Sequence, residues 1–362
     1  MKRIIFRTAA ILVAAVLLFS LPVGAISAEK AILTDAVTGK TLYERRSGER
    51  SLIASTTKIL TALVVCRRCN VLDRVKIPAE AVGVEGSSLY LREGEVLTVQ
   101  ELLYGLMLQS GNDAAVALAI YCGGTVEGFS ELMNDTAREL GMTGSHFVNP
   151  HGLDAPQHYS TARDLAVLAA EAMKDPVFAR TVSTKQIRVG ERHLRNHNKL
   201  LWRVEGADGV KTGFTKAAGR LLVSSAVRNG RRLVCVTINA PDDWNDHAAL
   251  LEQGFARYSL RQVLAAGDPV GRIPVLGGAE MEAELCAAQP FSYPLAEGEQ
   301  PELVFPAEQF CYAPVARGAP AGKAHLRLGE TIIGSVPLVY GNTVEQTEPE
   351  QKPLWRRIFG GS

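Results

Sequence analysis

Surplus charge is what this chain most plainly lacks. Its 362 residues hold 39 Lys and Arg against 38 Asp and Glu, a formal charge of +1. That balance gives no electrostatic case for nucleic acid as a partner. Cysteine is sparse too, with six residues at positions 66, 69, 122, 235, 286 and 311. Cys66 and Cys69 form the single close pair, and no second pair stands at zinc-ligand spacing, so no metal site is expected. Buried thiols are the default for all six. A 66–69 bridge is the alternative, although it is awkward to close between residues i and i+3 of a helix. There is no internal repeat, which excludes solenoids and propellers.

What is present begins with a leader. Lys2, Arg3 and Arg7 accompany an almost wholly apolar run from Thr8 to Leu21, and small residues follow around Ala25 and Ala28. This is the layout of a secretory signal peptide, taken as residues 1–28. An uncleaved anchor is the alternative, the run being slightly short for a span. Losing three basic residues and no acidic one would take the formal charge to about −2. The remaining 334 residues suggest two domains.

Residues 30–45 read as two short strands around a Thr-Gly turn. A helix is expected from Ser55 to about Val65. A second begins at Thr98 and Glu101, which stand in capping-box spacing. Leu102, Leu103, Leu106 and Met107 make its buried stripe, and Ser110–Asn112 look like a break before the next helix. Further amphipathic helices follow at residues 128–142 and from Ser160. Asn229-Gly230 then marks a hairpin between two strands, and residues 246–260 return to helix. Beyond Leu264, short apolar runs broken by Gly and Pro predict a small all-β domain over 265–343, after an α/β (α+β) domain over 29–264 in which helices pack on an antiparallel sheet. Residues 344–362 form a linker and a short tail in which Leu354, Trp355, Ile358 and Phe359 alternate with Arg356 and Arg357. That tail is either frayed or a small membrane-contacting foot.

Within "IASTTKIL", Ser55 and Lys58 stand three residues apart, on one face of a helix. A neutral lysine amine there could take the serine's proton and make it a nucleophile. The plainer alternative is a serine cap beside a solvated lysine, and Ser27–Lys30 shows that the spacing alone is cheap. Two further triplets bear on the choice: Ser110-Gly111-Asn112 at the helix break, and Lys211-Thr212-Gly213 just before the hairpin strands. Each has a dull explanation alone. Together they supply parts that acyl transfer through serine needs, and they correspond to the S-x-x-K, S-D-N and K-T-G set of penicillin-binding proteins and class A β-lactamases, with Gly111 in the middle place of the second.

With those residues in view, the chain resembles the low-molecular-mass penicillin-binding proteins, serine-type D-alanyl-D-alanine carboxypeptidases. The likeness runs through "LTVQELLYGLMLQSGNDAAVALA", "MNDTARELGMTGSHFVNPHGLD", "HYSTARDLAVLA", "NHNKLLW" and "DGVKTGFTKAAGRLLVSSA", and continues more weakly in "APVARGAPAG" and "IIGSVPLVYGN". The resemblance implies the following. Ser55 attacks the carbonyl between the last two D-alanines of a peptidoglycan stem peptide. Lys58 is the general base, and Ser110 relays a proton to the leaving amine. Asn112 bonds a substrate amide, and Lys211 keeps the field positive and helps hold Ser110. Thr212 bonds the terminal carboxylate, while Gly213 and Phe214 complete the binding strand. The backbone N–H groups of Ser55 and Phe214 form the oxyanion hole. β-Lactams acylate Ser55, no cofactor is needed, and the enzyme works at the cell wall or the outer face of the cytoplasmic membrane.

In some relatives a basic residue before K-T-G helps bind that carboxylate. Here His197 occupies the aligned place with Arg195 nearby, so the role is unassigned. The spacing of His193 and His197 is metal-like, but no third ligand is evident. A class A β-lactamase would add Glu-x-x-Leu-Asn; the nearest string, Ser130–Asn134, has its glutamate one place out of register. A cross-link endopeptidase and a non-catalytic wall-binding protein remain as alternatives.

Overall fold

The computed structural model describes residues 26–305 and 310–347. Residues 1–25 and 348–362, which hold most of the expected leader and tail, therefore lie outside the described residues. The chain divides into two compact units between Arg257 and Tyr258.

In the first unit, β1 (Lys30–Asp35) and β2 (Thr41–Arg45) are the two strands expected around the Thr-Gly turn. Two small ribbons follow, β3 (Arg74–Lys76) with β4 (Val96–Thr98), and β5 (Gln186–Val189) with β6 (Arg192–Arg195). Then come β7 (Ala207–Thr215), β8 (Gly219–Arg228) and β9 (Arg231–Ile238). The main sheet is antiparallel throughout, in the order β2-β1-β9-β8-β7, which leaves β7 at an edge. The helices are α1 (Lys58–Arg68), α2 (Val99–Leu108), α3 (Asn112–Gly123), α4 (Val126–Glu139), α5 (Ala162–Ala172), α6 (Pro176–Ser183), α7 (Leu200–Arg203) and α8 (Asp243–Arg257).

Period-two alternation in the central strands builds a core on each face. Leu221, Val223, Val234, Val236 and Ile238 pack with α1 to α6 in one apolar cluster. Leu222, Ala226, Leu233 and Cys235 join Leu250 and Leu251 of α8 in another. The sheet is thus filled between a helical cluster and a single helix. That helix is also tied down by polar groups: His247 of α8 bonds Ser224 Oγ on β8 (2.6 Å) and Thr237 Oγ1 on β9 (2.9 Å). Residues 26–28 belong to the same face. Ile26 and Ala28 are buried, and Ser27 holds the Asp246 carboxylate through its N–H (3.0 Å) and Oγ (2.7 Å). A leader ending at Ala25 leaves these contacts intact, whereas one ending at Ala28 removes them.

Burial keeps several imidazoles neutral. It lowers the pKa of His247 to about 3, and those of His151 and His158 to about 4. Below pH ~6.5 the unfolded chain takes up protons that these folded groups refuse, so stability falls as pH drops from there toward about 4 for His151 and His158 and about 3 for His247. For His247 alone the full effect is on the order of 4 to 5 kcal/mol. A His247→Asn variant should start from a lower Tm but lose less of it than the parent between pH 7 and pH 4. An equal acid slope in both would show that His247 is not the sensor.

The second unit is all-β: β10 (Tyr258–Leu264), β11 (Pro269–Leu276), β12 (Glu282–Ala287), β13 (Phe291–Ala296), β14 (Glu302–Val304), β15 (Cys311–Tyr312), β16 (Pro320–Leu328) and β17 (Thr331–Tyr340). Six of them form a sheet in the order β14-β16-β17-β12-β11-β15, and β10 pairs with β13. Residues 258–260, read from the sequence as the end of a helix, are strand because β13 offers them a partner. All six cysteines are free. Cys69 hydrogen-bonds Cys122 of α3, and not Cys66, which raises the Cys69 pKa. Among the described residues, no helix is long and apolar enough to cross a membrane.

Candidate active site

Ser55 does not open an α-helix, contrary to expectation. Ala54–Thr57 form a 3-10 turn whose N-cap is Ile53, and no side chain caps it. Hydroxyls stitch the turn together: Thr56 Oγ1 donates to the Ile53 carbonyl (2.5 Å), and Thr57 Oγ1 to the Ala54 carbonyl (2.8 Å). The Val148 N–H donates to His158 Nδ1, so His158 Nε2 carries the proton and donates to Thr57 Oγ1 (2.8 Å). Ala54 is held at φ +45°, which an L-residue tolerates only under constraint.

The constraint comes from "NPHGLD", residues 149–154. Asn149 Oδ1 accepts from the Gly152 N–H (2.7 Å), which curls that loop against the turn. Gly152 has φ +90°, and a Cβ there would sit 1.9 Å from the Ala54 carbonyl oxygen. Substituting Gly152→Ala should therefore cost roughly 3 kcal/mol or more through overpacking and backbone strain. It should lower Tm by about 6–12 °C and slow acylation of Ser55. A variant with parental Tm and acylation rate would show that the close approach does not matter.

Lys58, the first residue of α1, is fully buried. Its Nζ lies 2.7 Å from Asn112 Oδ1, 2.6 Å from the His151 carbonyl and 2.9 Å from Ser55 Oγ. Burial holds its pKa well below the ordinary lysine value; the charge of Lys211 adds to the shift, and Asp113 opposes it. A neutral amine has two N–H bonds and one lone pair. Asn112 donates through Nδ2 to the Glu85 carbonyl (2.5 Å), so its Oδ1 can only accept from Lys58. With that oxygen and the His151 carbonyl taking both N–H bonds, the lone pair is left for the Ser55 hydroxyl proton.

Ser110 is at the break between α2 and α3, at φ +63° and nearly buried. Asn112 and Asp113 open α3. Asp113 accepts from the N–H groups of Leu89 and Leu91 and from Ser88 Oγ, so the helix start fixes the neighbouring loop. Lys211 is buried on β7, its pKa lowered by burial to about 7. Its Nζ bonds the Thr212 carbonyl (3.0 Å) and not Ser110 Oγ, so the expected Lys211–Ser110 bond is not made in this structure. Gly213 lets β7 pass close to the turn, since a Cβ there would lie 3.3–3.4 Å from Thr56, Ala54 and the Ile53 carbonyl.

These pieces open on one cleft of about 340 Å³, lined by Ser55, Ser110, Thr212, Gly213 and Phe214. Lys58 and Asn112 lie behind it, bonded to each other and to Ser55. The sequence reading did not single out five other residues on its walls, Ser87, Lys199, Arg220, Leu221 and Trp244, nor the buried Asp243. His197 lines the cleft too, and although it is exposed, as His193 is on β6, partial desolvation and Lys211 lower its pKa.

Comparisons with known proteins address the family of the whole chain. Residues 18–242 match the D-alanyl-D-alanine carboxypeptidase family, and residues 258–346 match the C-terminal domain of penicillin-binding protein 5. The chain is 32% identical to the D-alanyl-D-alanine carboxypeptidase DacF of Bacillus subtilis, over 86% of this chain and 84% of that protein. It is 33% identical to DacC of Escherichia coli, over 87% and 84% respectively. Penicillin-binding protein 5 of Haemophilus influenzae superposes with a TM-score of 0.75 at 31% identity, covering 90% of this chain and 99% of that one. With a family match spanning 225 of its 362 residues, the chain belongs to the D-alanyl-D-alanine carboxypeptidase family of serine peptidases.

Proposed function

We propose that the family's reaction runs here through an acyl-enzyme on Ser55. The observation that carries this is the arrangement around Lys58, whose N–H bonds are spoken for and whose lone pair faces Ser55 Oγ. Ser55 Oγ bonds to the carbonyl carbon between the two terminal D-alanines of a stem peptide, and its proton passes to Lys58. The backbone N–H groups of Ser55 and Phe214 receive the charge that develops on the carbonyl oxygen. Ser110 passes a proton to the leaving nitrogen and takes the Lys58 proton in its place, so the C–N bond breaks, D-alanine departs and Lys58 is neutral again. As water bonds to the acyl carbon it gives a proton to Lys58, which hands that proton to Ser55 Oγ as the ester C–O bond breaks, freeing the shortened peptide and the serine hydroxyl. Asn112 positions a substrate amide, Lys211 supplies positive field, and Thr212 bonds the terminal carboxylate.

A β-lactam would follow the same path to a long-lived ester. A leader of the kind seen at residues 1–28 would deliver the enzyme to the wall, and the 344–362 tail would allow peripheral membrane contact. Mass spectrometry of the penicillin-treated protein tests the site. The adduct is expected on the tryptic peptide spanning residues 51–58, which contains Ser55. An adduct elsewhere, or none on folded protein, would contradict the assignment.

A further inference from the structure

The carboxypeptidase reading leaves one group without a charged partner, the free α-carboxylate of the residue to be released. His197 stands at the aligned place, but its pKa is shifted down, so it is a poor source of positive charge at neutral pH. The strand register supplies another candidate. In β7 and β8, Thr212 lies opposite Leu222 and Phe214 opposite Arg220. Directly opposed residues of an antiparallel pair point to the same face, and side chains alternate along each strand. Thr212, Phe214, Arg220 and Leu222 therefore share one face. Leu222 packs in the cluster that contains α8, which identifies it as the α8 face. Lys211 lies opposite Val223, on the face that meets the nucleophile turn. Arg220 is thus the diagonal cross-strand neighbour of Thr212, within reach of a long side chain.

The Arg220 guanidinium is also held in place. Its Nη2 donates to both oxygens of the buried Asp243 carboxylate (2.8 and 3.0 Å). The Trp244 ring lies 5.9 Å from its centre, with Lys199 at the same distance from that ring. Among the described residues, Nε and Nη1 of Arg220 have no hydrogen-bond partner, and 43% of the side chain remains exposed in the cleft. The cleft lining here holds two cations, Arg220 and Lys199, against the single carboxylate of Asp243.

We infer that Arg220, held by Asp243 and Trp244, anchors the substrate's terminal carboxylate together with the Thr212 hydroxyl, and so makes this chain selective for peptides with a free C-terminus over cross-links. A guanidinium with two N–H vectors to spare matches a planar carboxylate. The scissile carbonyl belongs at Ser55, and the carboxylate one residue beyond it reaches along the cleft toward Thr212 and Arg220. The inference rests on the carboxypeptidase reading, but its test can be separated from it.

The experiment compares the full-length mature protein with Arg220→Gln and Arg220→Lys variants on a peptide ending in D-Ala-D-Ala and on its C-terminal amide. The parent should prefer the free acid. Arg220→Gln should lower kcat/KM on the acid by about 10- to 100-fold, mostly through KM, and leave the amide within about threefold. Arg220→Lys should recover part of the loss. An equal loss on both peptides would mean that Arg220 only supports the fold, and no loss on the acid would also overturn the inference. If the parent hydrolyses neither peptide, the carboxypeptidase reading fails. Arg220 is then judged from acylation rates with benzylpenicillin and its methyl ester, where the variant should slow the acid alone.

Discussion

Replacing Lys58 with alanine should slow acylation of Ser55 by about 10³-fold, among the largest losses expected of any single substitution in this chain. A serine hydroxyl is a poor nucleophile until a base accepts its proton. Lys58 Nζ, 2.9 Å from Ser55 Oγ, is the amine bonded directly to that hydroxyl. Its competence depends on being neutral, which burial and the nearby Lys211 both favour. For the same reason the parent should acylate well at pH values far below the usual lysine range. The variant leaves a cavity open toward Ser55, so small primary amines added to the solution should restore part of the rate. Rescue that follows the concentration of free amine would identify the missing function as a base. Acylation at the parental rate in Lys58→Ala would mean that another group takes the proton.

Much of the site could be read from the sequence because its parts are local motifs. The Thr98 and Glu101 capping box forms in both directions. The chain does break between two helices at Ser110-Gly111, with Asn112 opening the second, and Asn229-Gly230 does turn a hairpin, with both residues at positive φ. Each signal depends on a few neighbouring residues, so the local pattern was enough. The 3-10 turn that carries Ser55 was not legible, because Gly152 and His158, about a hundred residues away, impose it. Lys211, expected just before the hairpin strands, is on β7 itself, and its amine turns to its neighbour's carbonyl, a choice that depends on side-chain geometry within the cleft. Arg220 and Asp243 were missed for a similar reason. Their meeting needs the β7–β8 register and the approach of α8, neither of which any short stretch of sequence encodes.

The other large effect concerns the nucleophile itself, and it bears on the central claim. The mature protein would be incubated with a synthetic peptide ending in D-Ala-D-Ala, and D-alanine release followed beside a Ser55→Ala control. The hydroxyl is the atom that becomes esterified, and losing such a nucleophile costs on the order of 10⁶ in rate when its partners act as a unit. The side chain is small and only half-buried on its turn, so the fold should survive the change. Steady release of one D-alanine per peptide by the parent, with none above background in Ser55→Ala, is the predicted result. Undiminished release from the variant, or none from folded parent protein, would contradict a serine carboxypeptidase built on Ser55.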